Sequence, residues 1–91
     1  MVTRLTLYSR PGCHLCHEMR ETVARVAGHL PGTFELEEID ISADPALEAL
    51  HGLEIPVLMI NGRKAAKYRV DGTSLARMLR TSLNSAGGGE R

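Results

Sequence analysis

Cys13 and Cys16 are the only cysteines in the 91-residue chain, and they stand three positions apart. A bridge between them would close almost no loop, so it could add little stability by restricting the unfolded chain. The pair is therefore useful chemically or not at all. Two chemistries suit this spacing, reversible disulfide formation and the binding of a soft metal ion. Pro11-Gly12 breaks a strand-like pattern just before Cys13, and helical spacing begins just after it. The first turn of a helix leaves N–H groups unpaired and carries the positive end of the helix dipole, and both favour an anion. A thiol placed there has its pKa lowered from about 8.5 into a range of roughly 3.5–7.5.

Spacing also divides the work. Residues i and i+3 share a helix face with β-carbons about 5–6 Å apart, and an irregular first turn can close that to the roughly 3.5–4.5 Å a disulfide needs. Cys13, at the very start, is expected to be exposed and to attack. Cys16, one turn inside, is expected to be shielded and to resolve the mixed disulfide. His14 adjoins the nucleophile and could lower its pKa further by a hydrogen bond or a positive charge. Arg10 could add positive potential or hold an anionic substrate. Each also has a plain reading, as a solvent-facing histidine and an ordinary loop arginine.

The alternative chemistry uses Cys13, Cys16 and His17, at i, i+3 and i+4, as two thiolates and an imidazole on one helix face. Such a set suits Zn²⁺ or Cu(I), or a shared iron–sulfur cluster. A fourth ligand would have to come from elsewhere, and His51 is the only other candidate. The string Cys13-His14-Leu15-Cys16-His17 also matches the attachment motif of c-type haem, but that reading needs export.

These residues need a scaffold. Leu5 and Leu7 alternate with Thr6 and Tyr8, which predicts a first strand over 4–9. Leu15, Met19, Val23, Val26 and Ala27 recur at helical spacing and predict a helix from about His14 to Gly28, with His29 placed where a helix C-terminus favours a cation. Phe34 to Ile41 reads as a second strand whose alternation slips at Glu37-Glu38, where a bulge or fray is expected. Asp44 and Pro45 are an N-cap and a first-turn proline for a short helix ending at His51, with Leu47 and Leu50 expected inward. Val57 to Ile60 is a continuously apolar, central strand. Asn61-Gly62 signals a hairpin, and Lys64 to Val70 returns as a charged edge strand. Asp71-Gly72-Thr73-Ser74 caps a last helix with Leu75, Met78, Leu79 and Leu83 on one face. The predicted order, β-α-β-α-β-β-α, is an α/β fold with a four-stranded mixed sheet and helices on both faces. Residues 1–84 are expected to form one domain and 85–91 a disordered tail.

With the elements in place, a resemblance emerges. Tyr8-Ser9-Arg10-Pro11-Gly12-Cys13-His14-Leu15-Cys16 resembles the start of a glutaredoxin, and Ile55-Pro56-Val57-Leu58-Met59-Ile60-Asn61-Gly62 resembles that family's proline-led strand and turn. The likeness spans roughly residues 4–83. It implies a thioredoxin-like fold and a thiol–disulfide oxidoreductase. It further implies that Pro56 is cis, lies against Cys13, exposes the backbone of Ile55 to an extended substrate segment, and discourages metal capture. One departure stands out. Glutaredoxins usually carry a Gly-Gly pair after the hairpin that helps hold glutathione, whereas this chain has Ala65-Ala66-Lys67-Tyr68-Arg69-Val70. Lys67 or Arg69 could grip a carboxylate instead, or act only as edge-strand gatekeepers. The pattern is closer to glutaredoxin-like proteins that share the cysteine motif without the glycine pair.

Composition bounds the rest. Acidic and basic residues balance at 11 each, which argues against a dedicated nucleic-acid binder; with Tyr8, Phe34 and Tyr68 as the only aromatics, no stacking platform is expected either. No apolar run reaches the length of a membrane span, and the N-terminus does not read as a signal peptide. The expectation is a cytoplasmic monomer with no bound cofactor. It would act on protein or low-molecular-weight disulfides and be reduced by glutathione or by a reductase.

Overall fold

The computed structural model describes residues 2–88, and the side chains of residues 2–83. Strand β1 (Val2–Ser9) leads through a four-residue loop into helix α1 (His14–Gly28). Strand β2 (Thr33–Asp40), a short 3₁₀ turn over Ile41–Ala43 and helix α2 (Pro45–His51) follow. Strands β3 (Val57–Ile60) and β4 (Arg63–Lys67) form a hairpin, and helix α3 (Gly72–Gly88) ends the described chain. The sheet order is β2-β1-β3-β4, with β1 parallel to β2 and antiparallel to β3, and β3 antiparallel to β4. This is the α/β architecture that the sequence predicts.

Strand alternation decides which side chains meet which helix. Leu5 and Leu7 of β1 pair in register with Ile60 and Leu58 of β3, so all four project from one face. There they pack with Met19, Val23 and Val26 of α1 and Leu75 and Leu79 of α3 in a single buried cluster. Tyr8 points to the other face and stacks on His51, the last residue of α2, with ring centroids 4.4 Å apart. Helices thus cover both faces.

The ends of the elements follow local chemistry. Asp44 caps α2 by accepting from the N–H groups of Ala46 and Leu47, and Asp71 accepts from the N–H of Ser74 in the first turn of α3. Beyond α1, His29 Nδ1 donates to the carbonyl of Arg25 at 2.7 Å. Asn61 and Gly62 take φ of 50° and 84°, the two positive angles that a tight hairpin requires.

Four expectations need correction. Leu50 does not face inward: it is 68% exposed, and α2 buries none of its residues. Leu47 is only half-buried, and this seven-residue helix is held by its Asp44 cap, the His51–Tyr8 stack and an Arg10–Glu48 ion pair rather than by a buried apolar face. No bulge occurs at Glu37-Glu38, because β2 stays in register with β1 from Thr33 to Asp40. The slip in alternation instead places Glu38 on the α1 side, where Arg20 and Ser9 bind its carboxylate. The irregularity lies on β4, where Leu58 pairs with Ala66 and Met59 with Lys64, leaving Ala65 as the extra residue. Strand β4 also stops at Lys67, short of Val70, where Tyr68 turns to a φ of 67°. Finally, the helical backbone of α3 runs through residues 85–88, which read as tail, since no proline interrupts it; residues 89–91 lie outside the described chain.

Candidate active site

Cys13 is the N-cap of α1. Its backbone is extended (φ −88°, ψ 109°), and its Sγ accepts the N–H of Cys16 at 3.1 Å. A sulfur that accepts from a helix N-terminus is stabilised as an anion. No acidic residue occupies the first turn of α1 to oppose that charge. Cys13 and Cys16 are joined in a disulfide with their Cα atoms 5.2 Å apart. Their exposure differs as the spacing predicts: Cys16 is 1% exposed and part of the core, whereas Cys13 is half-buried.

Beside Cys13 opens a cleft of about 640 Å³, whose walls include Ser9, Gly12, His17, Arg20 and Glu38. Arg20 grips Glu38 with two nitrogens, Nε at 2.8 Å and Nη2 at 3.1 Å, and the buried Ser9 hydroxyl donates to the same carboxylate at 2.8 Å. The Arg20 hydrogen bonds hold the Glu38 carboxyl below the usual carboxylate range, with Ser9 adding to the effect against partial burial. One wall of the cleft is thereby a fixed ion pair that ties α1 to β2.

The two basic residues singled out beside the cysteines are engaged elsewhere. His14 is turned along α1, its Nε2 lying 2.8 Å from Glu18 Oε2. Arg10 reaches across to α2, 2.6 Å from Glu48 Oε1 and 3.5 Å from the carbonyl of Gly52. It anchors the loop before Cys13. His17 is also taken: Nδ1 accepts from Arg20 at 3.0 Å, and Nε2 lies 3.2 Å from Glu21. Among the described residues no three side chains of the His, Cys, Asp and Glu types converge where they could share a metal ion. His51, the one further donor, stacks on Tyr8 with its Nδ1 buried and unpartnered.

Ile55-Pro56 is a cis peptide bond. Since Tyr8 pairs with Val57, extending the register by one residue sets Pro56 opposite Ser9, at the sheet end from which the loop to Cys13 departs. Pro56 is fully buried and Ile55 half-buried. Among the described residues, the N–H and C=O of Ile55 form no hydrogen bond.

The sequence profile of the glutaredoxin-like domain (DUF836) matches residues 4–80. The chain belongs to this glutaredoxin-like family. The crystal structure of protein XcR50 from X. campestris is similar, with 36% identity and a TM-score of 0.70 over 85% of this chain and 96% of that one. The glutaredoxin-like protein NrdH-redoxin from Escherichia coli, described as having a thioredoxin-like activity profile, is 26% identical with a TM-score of 0.53 over 72% of this chain and 84% of its own. Chloroplastic thioredoxin z, at 13% identity and a TM-score of 0.72 over 91% of this chain and 80% of that one, shares the fold. The glutaredoxin-like chain thus has a thioredoxin fold, with a disulfide-forming cysteine pair at the start of its first helix. No helix among the described residues is long and apolar enough to cross a membrane.

Two site features escaped sequence reasoning. The Glu38–Arg20 wall was hidden as an apparent slip in a strand pattern. The contacts of Glu54 with Lys64 at 2.6 Å and Lys67 at 3.5 Å lie across the loop before β3. Their signal was an acidic residue next to Ile55-Pro56 facing a strand rich in lysine. Lys67 does meet a carboxylate, but one belonging to its own chain.

Proposed function

We propose that this chain is a dithiol thiol–disulfide oxidoreductase. The observation that carries the reading is the Cys13 sulfur held by a helix N-terminal N–H, with its bridging partner Cys16 buried one turn deeper. In the reduced protein the Cys13 thiolate attacks one sulfur of a substrate disulfide. A Cys13–substrate bond forms, the substrate S–S bond breaks, and one thiolate leaves and takes up a proton. Cys16 then loses its proton and attacks Cys13 Sγ, expelling the second substrate thiolate. The substrate has gained two electrons and two protons, and the protein holds the Cys13–Cys16 bridge. Two glutathione thiols, oxidised to glutathione disulfide, or a dithiol reductase would return the pair to the reduced state. Protein and low-molecular-weight disulfides are the substrates in this reading, and Ile55 and Pro56 form the substrate edge. The protein acts as a cytoplasmic monomer, without nucleic acid, membrane or resident metal.

Turnover of a peptide disulfide under a glutathione-regenerating system tests this. The wild type should turn over, and Cys13→Ser should be inactive. Full activity in Cys13→Ser would refute the assignment.

A further inference from the structure

Tyr68 and Asn61 are the described non-glycine residues with positive φ. The hairpin turn accounts for Asn61; Tyr68 is the centre of a tight three-residue turn closed by the Arg69 N–H donating to the Lys67 carbonyl at 2.7 Å, and a bulky side chain at a φ of 67° is disfavoured there unless surrounding contacts hold it. Besides Lys67, whose Nζ lies 5.6 Å from the ring centroid, two contacts hold it, and both lead to one segment. The Tyr68 N–H donates to the carbonyl of Pro56 at 2.9 Å, and its hydroxyl donates to the carbonyl of Leu53 at 3.0 Å. Between those carbonyls, the N–H of Glu54 donates to His51 at 2.8 Å, and its carboxylate takes Lys64 and Lys67. Leu53 and Pro56 are therefore tied to Tyr68, just beyond β4, and Glu54 is tied to β4 and α2. Ile55, in their midst, keeps both backbone groups free among the described residues.

We propose that Tyr68 is a positioning residue that fixes the Leu53–Pro56 segment and so presents the N–H and C=O of Ile55 to an extended polypeptide beside the Cys13–Cys16 pair. The inference rests on the dithiol-exchange reading and deepens it. A backbone edge held still before binding loses less conformational freedom when a strand pairs with it. Only a substrate with a backbone gains from that. Tyr68 thus favours disulfides in extended polypeptide over small disulfides that have none.

The test compares a disulfide-bridged unstructured peptide with 2-hydroxyethyl disulfide as substrates of the full chain. Tyr68→Phe deletes the bond to Leu53 and keeps the backbone. The ratio of kcat/KM for the peptide to that for the small disulfide should fall about three- to tenfold, the scale of one hydrogen bond, with the loss in the peptide KM. Tyr68→Gly, which relieves the left-handed backbone while deleting the same bond, should reproduce the fall without loss of folding. An unchanged ratio, or equal losses for both substrates, would overturn the inference. If the wild type reduces neither substrate, the oxidoreductase reading falls and takes this inference with it. If the wild type reduces both and Tyr68→Phe matches it, the Tyr68 role alone falls.

Discussion

At the scale of single residues, the division of labour proposed for the cysteine pair rests on one turn of helix. Cys13 caps α1 and is half-buried; Cys16, one turn deeper, is 1% exposed. A Cys16→Ser protein should therefore stop at the mixed disulfide, and mass spectrometry after incubation with a disulfide substrate should find that substrate attached to Cys13. Absence of any adduct would contradict the resolving role. The cap at Cys13 and the burial of Cys16 were legible because strand, turn and C-x-x-C place a cap without reference to the rest of the molecule. The contacts of His14 and Arg10 were not legible in the same way. His14 had a visible competitor in Glu18, one turn on, and pairs with it. Arg10 meets Glu48, distant in sequence, and only the fold brings them together.

At the scale of elements, helix type and position were readable from caps and spacing, but burial was not. Leu50 and Leu75 both sit at apolar positions of helices with Asp caps, yet Leu50 is 68% exposed and Leu75 is 0%. Helix α3 packs a stripe against α1 and the sheet, whereas α2 rests on the sheet through the His51–Tyr8 stack. Leu75→Ala should cost about 2–5 kcal/mol in chemical denaturation, and Leu50→Ala should stay within about 0.5 kcal/mol; equal costs would mean that α2 packs like α3. The alternation slip at Glu37-Glu38 illustrates the same limit. A polar residue on the inward face of an edge strand looks like a bulge until its partner, Arg20 on α1, is known. Tyr68 gave no sign of itself, since a positive φ is expected of glycine or asparagine.

At the scale of the whole molecule, charges bind the elements together. Glu38, Asp40, Glu54 and Asp71 are all held below the usual carboxylate range, Glu38 chiefly by Arg20, Asp40 by Ser42, Glu54 by Lys64 and Asp71 by the N–H of Ser74. Because their folded values lie below their unfolded ones, the unfolded chain binds more protons on acidification. Their contribution to stability is thus complete above the unfolded values, about 3.9 for Asp and 4.3 for Glu, and is lost as pH falls through the folded values. Urea midpoints should hold between pH 7 and about 5 and drop below about 4, and Glu38→Gln should shallow that drop; an unchanged slope in the variant would contradict the Arg20–Glu38 link. The sulfur that this framework presents is Cys13 Sγ. The most direct measurement is the rate of Cys13 alkylation by iodoacetamide in the reduced protein across pH, with the modified residue identified by mass spectrometry. The account predicts that Cys13 reacts first, with a midpoint clearly below the value of about 8.5 for free cysteine. A midpoint at that free value, or first reaction at Cys16, would contradict it.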